Sequence, residues 1–322
     1  MRALIVSCGN LNLDVYMKVE SLPERGSATE SKDFYFSGGG AASNFAVAMC
    51  RLEMNVRLLA CVGNDFLGEM LLQELAREGV DTSYIRRVNA TTGLVVVIVD
   101  EQGERTMIAF RGANNLLSHE VVEESVLSQA VLFHVASLSG DKTLRILKKV
   151  KSINESIVTS YDPGGVAIRD RAEVLKALKY TDILLLNERE FKGIFSHYKS
   201  ELLESFLSQG TRRLRIVVIK RGGRGASFLA KPFCVDVPAF KVNVVDATGA
   251  GDAFNAGFLF GYLLNLSPEE TLTLANAVGA LKVSRKGARS SPFLAEVLLF
   301  LRERGFKGLA EAIEARAKVL KR

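Results

Sequence analysis

The sequence predicts an α/β protein in three layers, in which a mainly parallel central sheet lies between helices and carries a small β-sheet lid. The first observation is a regular alternation of strand-like and helical segments from residue 130 onward. The strand-like runs are 131–135, 156–161, 182–186 and 215–219, and the last helices are 251–264, 269–284, 293–304 and 308–320. The second observation is that no Pro/Ser-rich linker or fixed-period repeat divides the chain. We therefore expect one domain over residues 1–322.

The beginning of the chain shows the same alternation. Residues 2–8 are apolar and partly β-branched, which predicts a buried first strand that leads into a loop at Gly9. After the glycine run 38–40, apolar residues recur at helical spacing. A strand at 56–61 and a helix at 66–78 follow.

A β insertion then interrupts the alternation between about residues 84 and 112. Residues 93–100 and 104–111 flank a short Gly-containing turn, which predicts a hairpin. A second extended stretch precedes the glycine run and can pair with this hairpin. We expect the two stretches, about 13–37 and 91–111, to form the lid.

Composition and charge exclude several classes of protein. The 42 Lys and Arg residues exceed the 36 Asp and Glu residues by six, which suits an anionic ligand but is too small an excess for a nucleic-acid-binding protein. The four cysteines and three histidines show no zinc-binding spacing. The apolar stretch 253–268 is shorter than the roughly 20 residues that span a bilayer, and the short apolar run after Arg2 does not predict a secretory signal. We expect a cytoplasmic protein that binds neither nucleic acid nor a membrane.

The segment 243–257, NVVDATGAGDAFNAG, is the most informative part of the sequence. A strand ends in small residues and a long apolar helix starts at once. Gly249 and Gly251 permit tight backbone geometry, so that the amides of Gly249, Ala250 and Gly251 can point at an anion near the helix N-terminus. Asp252 lies on the first turn and can accept a proton from an attacking hydroxyl group. From the residues alone, a helix cap with closely packed glycines is an equally good interpretation.

The full string DATGAGDAFNAG at 246–257 resembles the C-terminal signature of the ribokinase-like sugar kinases, the PfkB family. Three other motifs of that family occur in the same order, and together they cover almost the whole chain. These motifs are the glycine run 38–40 with Asn44, the Asn187-x-x-Glu190 sequence and the Gly-rich loop 219–226. P-loop and dinucleotide-binding motifs are absent. The resemblance implies a ribokinase-like fold and phosphorylation of a small sugar with ATP and Mg²⁺.

The resemblance also implies a role for individual residues. Asp252 would act on the hydroxyl group, and residues 249–251 would stabilise charge on the phosphoryl oxygens. The acceptor would contact Asn12, Asp14, Gly39, Gly40 and Asn44. The nucleotide would contact Asn187, Lys220, Gly222, Gly225 and Asn276. Glu190 would help to hold Mg²⁺ through water, and Asp246 and Thr248 would bind a monovalent cation such as K⁺.

Each of these assignments has a structural alternative. Asn12 and Asp14 are also common loop-capping residues, and Glu190 also suits a helix start. In most proteins a residue such as Lys220 is a solvated surface charge, and Asp246 is equally well explained as part of a hydrogen-bonded turn.

The acceptor remains open at this stage. Ribokinases usually have Gly-Gly-Lys-Gly where this chain has Gly-Gly-Ala-Ala at 39–42, and a substrate-contacting Glu where this chain has Ser137. Both differences weaken the case for ribose. Arg111 on the hairpin can recognise a carboxylate or phosphate on the acceptor, such as a 2-keto-3-deoxy sugar acid, or can simply be a surface residue of the lid.

Two further interpretations share the scaffold. A nucleoside kinase has the same phosphate-handling motifs with apolar lid contacts to a base, and Phe34, Phe36 and Phe110 are compatible with that. A catalytically silent sugar or nucleotide sensor is disfavoured by the intact Asp252 and its glycines. We expect a homodimer that forms through the lid.

Overall fold

An eight-stranded sheet forms the centre of the computed structural model, which describes residues 3–195, 213–230 and 233–320. In order across the sheet, the strands are β14 (Phe233–Val237), β13 (Ala226–Ala230), β12 (Ile216–Lys220), β11 (Ile183–Asn187), β10 (Val158–Asp162), β9 (Ala130–Ala136), β1 (Leu4–Gly9) and β4 (Asn55–Leu59). The strands from β12 to β4 are parallel, and β13 and β14 add to one edge in antiparallel orientation. The sequence analysis did not predict these two edge strands.

Helices cover both faces of this sheet. They are α1 (Ala41–Arg51), α2 (Phe66–Arg77), α3 (Glu124–Leu127), α4 (Gly140–Ile153), α5 (Val166–Arg169), α6 (Arg171–Ala177), α7 (Glu188–Ile194), α8 (Ala250–Leu263), α9 (Pro268–Val283), α10 (Leu294–Glu303) and α11 (Lys307–Leu320). Successive residues of a strand point to opposite faces, so Ile5 packs with α1, α8 and α9 while Val6 packs with α4 and α6. The predicted three-layer fold class is confirmed. None of the described helices is long and apolar enough to cross a membrane.

A separate four-stranded sheet lies over the carboxyl ends of the parallel strands. Its strands, in order, are β3 (Asp33–Gly39), β2 (Asn12–Lys18), β7 (Gly93–Val99) and β8 (Arg105–Phe110), and a two-stranded sheet joins β5 (Cys61–Gly63) to β6 (Arg86–Val88). The four-stranded sheet corresponds to the predicted lid.

The two faces of the lid differ in chemistry. Asp14, Tyr16 and Tyr35 share the inner face, where the two tyrosine rings stack at 4.5 Å between centroids. Arg105 Nη1 on the same face donates a hydrogen bond to Thr248 Oγ1 at 2.7 Å. The lid therefore already contacts the loop before α8.

Candidate active site

The residues of the predicted phosphate-binding loop lie at the N-terminus of α8, which begins at Ala250. Gly249 caps this helix with φ at 75°, a left-handed conformation that favours glycine. A Cβ atom there would lie 2.2 Å from the Ala288 carbonyl oxygen. Within the described ranges, the amide groups of Gly251 and Asp252 donate to no backbone carbonyl. These free donors, at the positive end of the helix dipole, suit phosphate oxygens.

Gly251 contributes space rather than an unusual backbone conformation. It belongs to the helix, and its φ is not positive. A Cβ atom at this position would meet only the Nζ of Lys220, at 3.5 Å. Any larger side chain would therefore fill the space in front of the free amides.

Asp252 has the environment of a general base. Asn44 Nδ2 donates a hydrogen bond to its Oδ2 at 2.8 Å. Burial raises the pKa of Asp252 to about 7, with Asp162 and Asp14 acting in the same direction and Asn44 and Lys220 opposing. A carboxyl group that titrates near neutrality can take a proton from a hydroxyl group and release it again.

The glycine run and Asp14 form the wall of a polar cleft next to Asp252. A Cβ atom at Gly39 would lie 2.1 Å from Asp14 Oδ2, and one at Gly40, where φ is 97°, would lie 2.2 Å from the Asn10 carbonyl oxygen. Asp14 Oδ1 and Asn44 Oδ1 are buried without a hydrogen-bond partner in the described part of the chain. Unpaired buried acceptors are costly, and hydroxyl groups of a sugar would satisfy them.

The side chains of Asn10 and Asn114 hold the loop after β1 in place by hydrogen bonds. Asn114 Nδ2 donates to Asn12 Oδ1 at 2.7 Å, and Asn114 Oδ1 accepts from the Leu11 amide at 2.9 Å. Asn10 Nδ2 donates to the Ser137 carbonyl oxygen at 3.2 Å. The sequence analysis identified Asn12 but missed Asn10 and Asn114, because their partners are remote in the chain.

Arg289 packs against the glycine run, and the sequence analysis did not identify it as a site residue. The guanidinium group is buried, pairs with Glu74 at 2.9 Å and donates to Ser43 Oγ at 2.9 Å. A Cβ atom at Gly38 would lie 1.8 Å from Arg289 Nη1. Arg289 therefore helps to hold the glycine run in position.

Lys220 is not a solvated surface charge, because its side chain is largely buried and its ammonium group pairs with Asp162. Lys220 Nζ lies 2.6 Å from Asp162 Oδ2 and 3.1 Å from Asn255 Oδ1. Asn255 Nδ2 also donates to Asp162 Oδ2, at 2.6 Å. Burial opposes the charged form of Lys220, but Asp162 and Glu190 outweigh it and raise the pKa. A fixed cation is therefore held beside Gly251.

Asp162 and Asn255 were not among the predicted site residues. Asp162 ends the strand predicted at 156–161, and polar residues at the carboxyl ends of parallel strands are the signal that would have found it. Asn255 lies three residues after Asp252, hence on the same side of α8.

Asn187 and Glu190 form a capping box at the start of α7. Asn187 Oδ1 accepts from the Glu190 amide at 2.9 Å, and Glu190 Oε2 accepts from the Asn187 amide at 2.8 Å. Burial and nearby Asp162 raise the pKa of Glu190, and Lys220 opposes them. In the part of the chain that the structure describes, the other oxygen of Glu190, Oε1, accepts no hydrogen bond. No group of three or more His, Cys, Asp or Glu suited to a metal occurs in the described ranges, so Mg²⁺ would need ligands from phosphate groups.

A cavity of about 480 Å³ lies beside the start of α8, where Ala250 and Gly251 line it. Gly222, Gly225 and Asn276 line it, together with Gly251. Asn276 Nδ2 donates to the Val237 and Pro238 carbonyl oxygens at 3.3 and 3.1 Å, so this residue fixes the cavity wall. The size and position suit a nucleotide whose phosphates point at α8.

The candidate cation site at Asp246 already faces a positive charge. Asp246 Oδ1 and Oδ2 accept the amides of Thr248 and Gly287 at 2.8 and 3.0 Å. The fully buried Lys282 donates from Nζ to the Asp246 carbonyl oxygen at 2.8 Å. Burial lowers the pKa of Lys282, and Asp246 opposes this shift. The hydrogen-bonded turn considered from the sequence is therefore present.

Arg111 lies apart from the reacting groups. It follows β8, is exposed, and lines a separate basic pocket beside Asn10 and Asn114.

Comparisons with known proteins agree with this geometry. Residues 2–294 match the model of the pfkB family carbohydrate kinases. The chain is 35% identical to the ATP-dependent ribose-1-phosphate kinase of Halopiger xanaduensis, over 93% of this chain and 98% of the relative. The structure of Arabidopsis thaliana ribokinase complexed with ribose and ATP is 26% identical, with a TM-score of 0.80 over 94% of this chain and 99% of that one. An E. coli structure in complex with ATP and Mg²⁺ is 26% identical, with a TM-score of 0.79 over 94% and 100%.

The chain belongs to the pfkB family of carbohydrate kinases. It is an ATP-dependent carbohydrate kinase, a phosphotransferase with an alcohol group as acceptor. The predicted family and enzyme class are confirmed.

Proposed function

We propose that Asp252 is the general base of this kinase and that the amides at the start of α8 bind the transferring phosphoryl group. The observation that carries the proposal is the juxtaposition of three features. A carboxyl group with a pKa of about 7 stands on the same helical turn as two free amides, and Asn44 joins it to the acceptor cleft.

In the proposed reaction, the acceptor hydroxyl oxygen attacks the γ-phosphorus and its proton passes to a carboxylate oxygen of Asp252. The bond between the γ-phosphorus and the bridging oxygen of ADP breaks, and ADP leaves with that electron pair. The amides of Gly251 and Asp252 and the Lys220 ammonium group stabilise charge on the phosphoryl oxygens. When bound, Mg²⁺ would supply positive charge that offsets the charge of the nucleotide phosphates, and Glu190 would help to hold it through a water molecule.

We assign the polar cleft to the acceptor and the cavity behind α8 to the nucleotide. Asn12, Asp14, Asn44 and the backbone at 39–40 supply the acceptor groups. We treat residues 1–322 as one domain with the four-stranded sheet as its lid, and we place the protein in the cytoplasm, where ATP is available.

The test is a coupled ADP-release screen with ribose, fructose, ribose 1-phosphate, ribose 5-phosphate, 2-keto-3-deoxygluconate and inosine. Ribose 1-phosphate belongs in the screen because of the Halopiger relative, and the sugar acid and nucleoside represent the alternative acceptors. We expect turnover with at least one sugar or sugar phosphate, lost in Asp252→Asn. Nucleotide binding without turnover of any acceptor would favour the silent sensor instead.

We also propose that the lid mediates a homodimer. Its outer face carries four exposed apolar side chains on strands β3 and β8, namely Phe34, Phe36, Ile108 and Phe110. Such a patch on a sheet normally meets a partner surface, and the same residues lie on the side away from Asp14. The phenylalanines that left the nucleoside interpretation open, Phe34, Phe36 and Phe110, all belong to this outer patch. Sedimentation of wild type and Phe36→Asp tests the dimer.

We propose that the ammonium group of Lys282 takes the place of a bound K⁺ next to the predicted phosphate-binding loop before α8. Its ammonium group donates a hydrogen bond to the carbonyl oxygen of Asp246. Both carboxylate oxygens of Asp246 already accept hydrogen bonds from backbone amides. A tethered ammonium group can fix the loop electrostatically as a bound cation would.

A further inference from the structure

We propose that the basic pocket beside the acceptor cleft, lined by Arg111, Lys142 and Arg169, is an anion subsite that binds a phosphate group of the acceptor. The preferred acceptor is then a sugar monophosphate whose phosphate lies at the end remote from the reacting hydroxyl, and the product is a sugar bisphosphate. This inference rests on the proposed function, because it assigns the substrate class of the same active site.

The pocket has a size and lining that suit a small anion. Its volume is about 280 Å³, and three cationic side chains come from three different parts of the chain. Arg111 follows β8, Lys142 lies on the first turn of α4, and Arg169 ends α5. Polar groups of Ser137 and Ser139 complete the wall.

The described residues compensate the positive charges in this pocket only in part. In the described ranges, the guanidinium groups of Arg111 and Arg169 have no ion pair, and no side-chain hydrogen bond of either is present. Lys142 Nζ donates only to backbone carbonyl oxygens, of Asn115 at 2.7 Å and of Asn114 at 3.4 Å.

Among the described residues, one carboxylate lines the pocket, that of Asp170. Asp170 Oδ2 accepts the Gly140 amide at 2.8 Å, so the group serves partly as a cap for α4. Three cations against one carboxylate leave two excess positive charges. Burial lowers the pKa of Lys142, and the nearby Arg111 adds to that shift. An anion between these side chains would relieve the repulsion, and a phosphate dianion would neutralise both excess charges.

The pocket shares walls with the acceptor cleft. Asn10 lines the pocket, and its carbonyl oxygen lies 2.2 Å from the position of a Cβ atom at Gly40. Asn114 also lines the pocket, and its amide holds Asn12 at 2.7 Å. One small acceptor can therefore place hydroxyl groups on Asn12 and Asp14 and an anionic group among the cations. A neutral sugar would leave the cations unpaired.

The position of Ser137 fits the same interpretation. It immediately follows β9, at the carboxyl end of the strand, and lines the pocket with a neutral side chain. A carboxylate at this position would repel an anionic acceptor, and the hydroxyl group of Ser137 can instead donate to it.

The experiment compares ribose 1-phosphate with ribose in wild type, Arg169→Ala and Arg111→Ala. Arg145→Ala is the matched control, because Arg145 lies on α4 but pairs with Asp141 outside the pocket. We expect wild-type kcat/KM to favour the phosphorylated sugar by roughly 100-fold or more. Each pocket variant should raise KM for that sugar by roughly tenfold or more, with KM for ATP and all constants for ribose nearly unchanged. The control should resemble wild type.

The other outcomes are distinguishable. If ribose or another neutral sugar is the best acceptor and the two variants use it normally, the subsite is overturned while the kinase assignment stands. If 2-keto-3-deoxygluconate is the best acceptor and its KM rises in the variants, the pocket binds a carboxylate. This result would refute the proposal that the acceptor is a sugar monophosphate. If no acceptor is turned over, the proposed function itself fails.

Discussion

Replacing Asp252 by Asn should leave the site assembled and remove its proton acceptor. Asn44 Nδ2 now donates to Asp252 Oδ2 at 2.8 Å, and the amide oxygen of an asparagine can accept the same hydrogen bond. We therefore expect nucleotide binding to change little. Loss of the general base should lower kcat by roughly 10²- to 10⁴-fold.

The pH dependence gives this prediction a second readout. Because the pKa of Asp252 is raised to about 7, the free enzyme at pH 6 holds about a tenth of this group as carboxylate, at pH 7 about half and at pH 8 about nine tenths. The base acts in its ionised form, so kcat/KM for the acceptor should rise about fivefold from pH 6 to 7 and about twofold from pH 7 to 8. The Asn variant should lose the part of the rise that comes from this group. Asp14, whose pKa burial also raises to about 7, should still affect KM for the acceptor.

As pH rises, the contribution of Asp252 to stability should fall while activity increases. Because the pKa of Asp252 is higher in the folded than in the unfolded protein, the protonated group stabilises the folded state. This contribution is fully present below the pKa of the unfolded state and is lost as pH rises through about 7. At pH 8 the Asn variant should therefore unfold at the same or a higher temperature than wild type. Asp141→Asn, an exposed carboxylate on α4, is the matched control and should change neither rate nor stability. More than half of wild-type kcat in the Asp252 variant would refute the assignment of the base.

Three further predictions concern the charges and space around α8. Gly251→Val should lower kcat/KM by more than tenfold while Ala250→Ser stays near wild type, since only the valine fills the space in front of the free amides. Equal values of kcat/KM for the two folded variants would show that the loop is a simple turn. Lys220→Met should lower kcat by roughly 10²-fold or more with intact secondary structure by circular dichroism, because the fixed cation is lost and Asp162 is left without its ion pair, and a wild-type rate would contradict this. Wild type should work equally well in Na⁺ and K⁺ buffers, whereas Lys282→Met should be slower and partly restored by K⁺; a strict requirement of wild type for K⁺ would contradict the tethered cation.

Local sequence patterns predicted most of the parallel strands, the helices that cover them and the loops that carry the candidate site residues. Alternating apolar runs identify parallel strands and their covering helices because periodicity is a local property of the chain. The 246–257 string was informative for the same reason, since the turn, the helix start and Asp252 are consecutive. The antiparallel strands β13 and β14 escaped because short edge strands carry weak local patterns.

The contacts between side chains that are remote in sequence could not be predicted from local patterns. Lys220 could be interpreted as a surface charge from its neighbours in sequence, but in the fold it binds Asp162 and Asn255, which are 58 and 35 residues away. The basic pocket likewise joins Arg111, Lys142 and Arg169 from separate elements. The physical reason is that parallel strands bring their carboxyl ends to one edge of the sheet, so loops remote in sequence become neighbours there. Local patterns identify each loop, and the order of the strands in the sheet determines which charged side chains of these loops become neighbours.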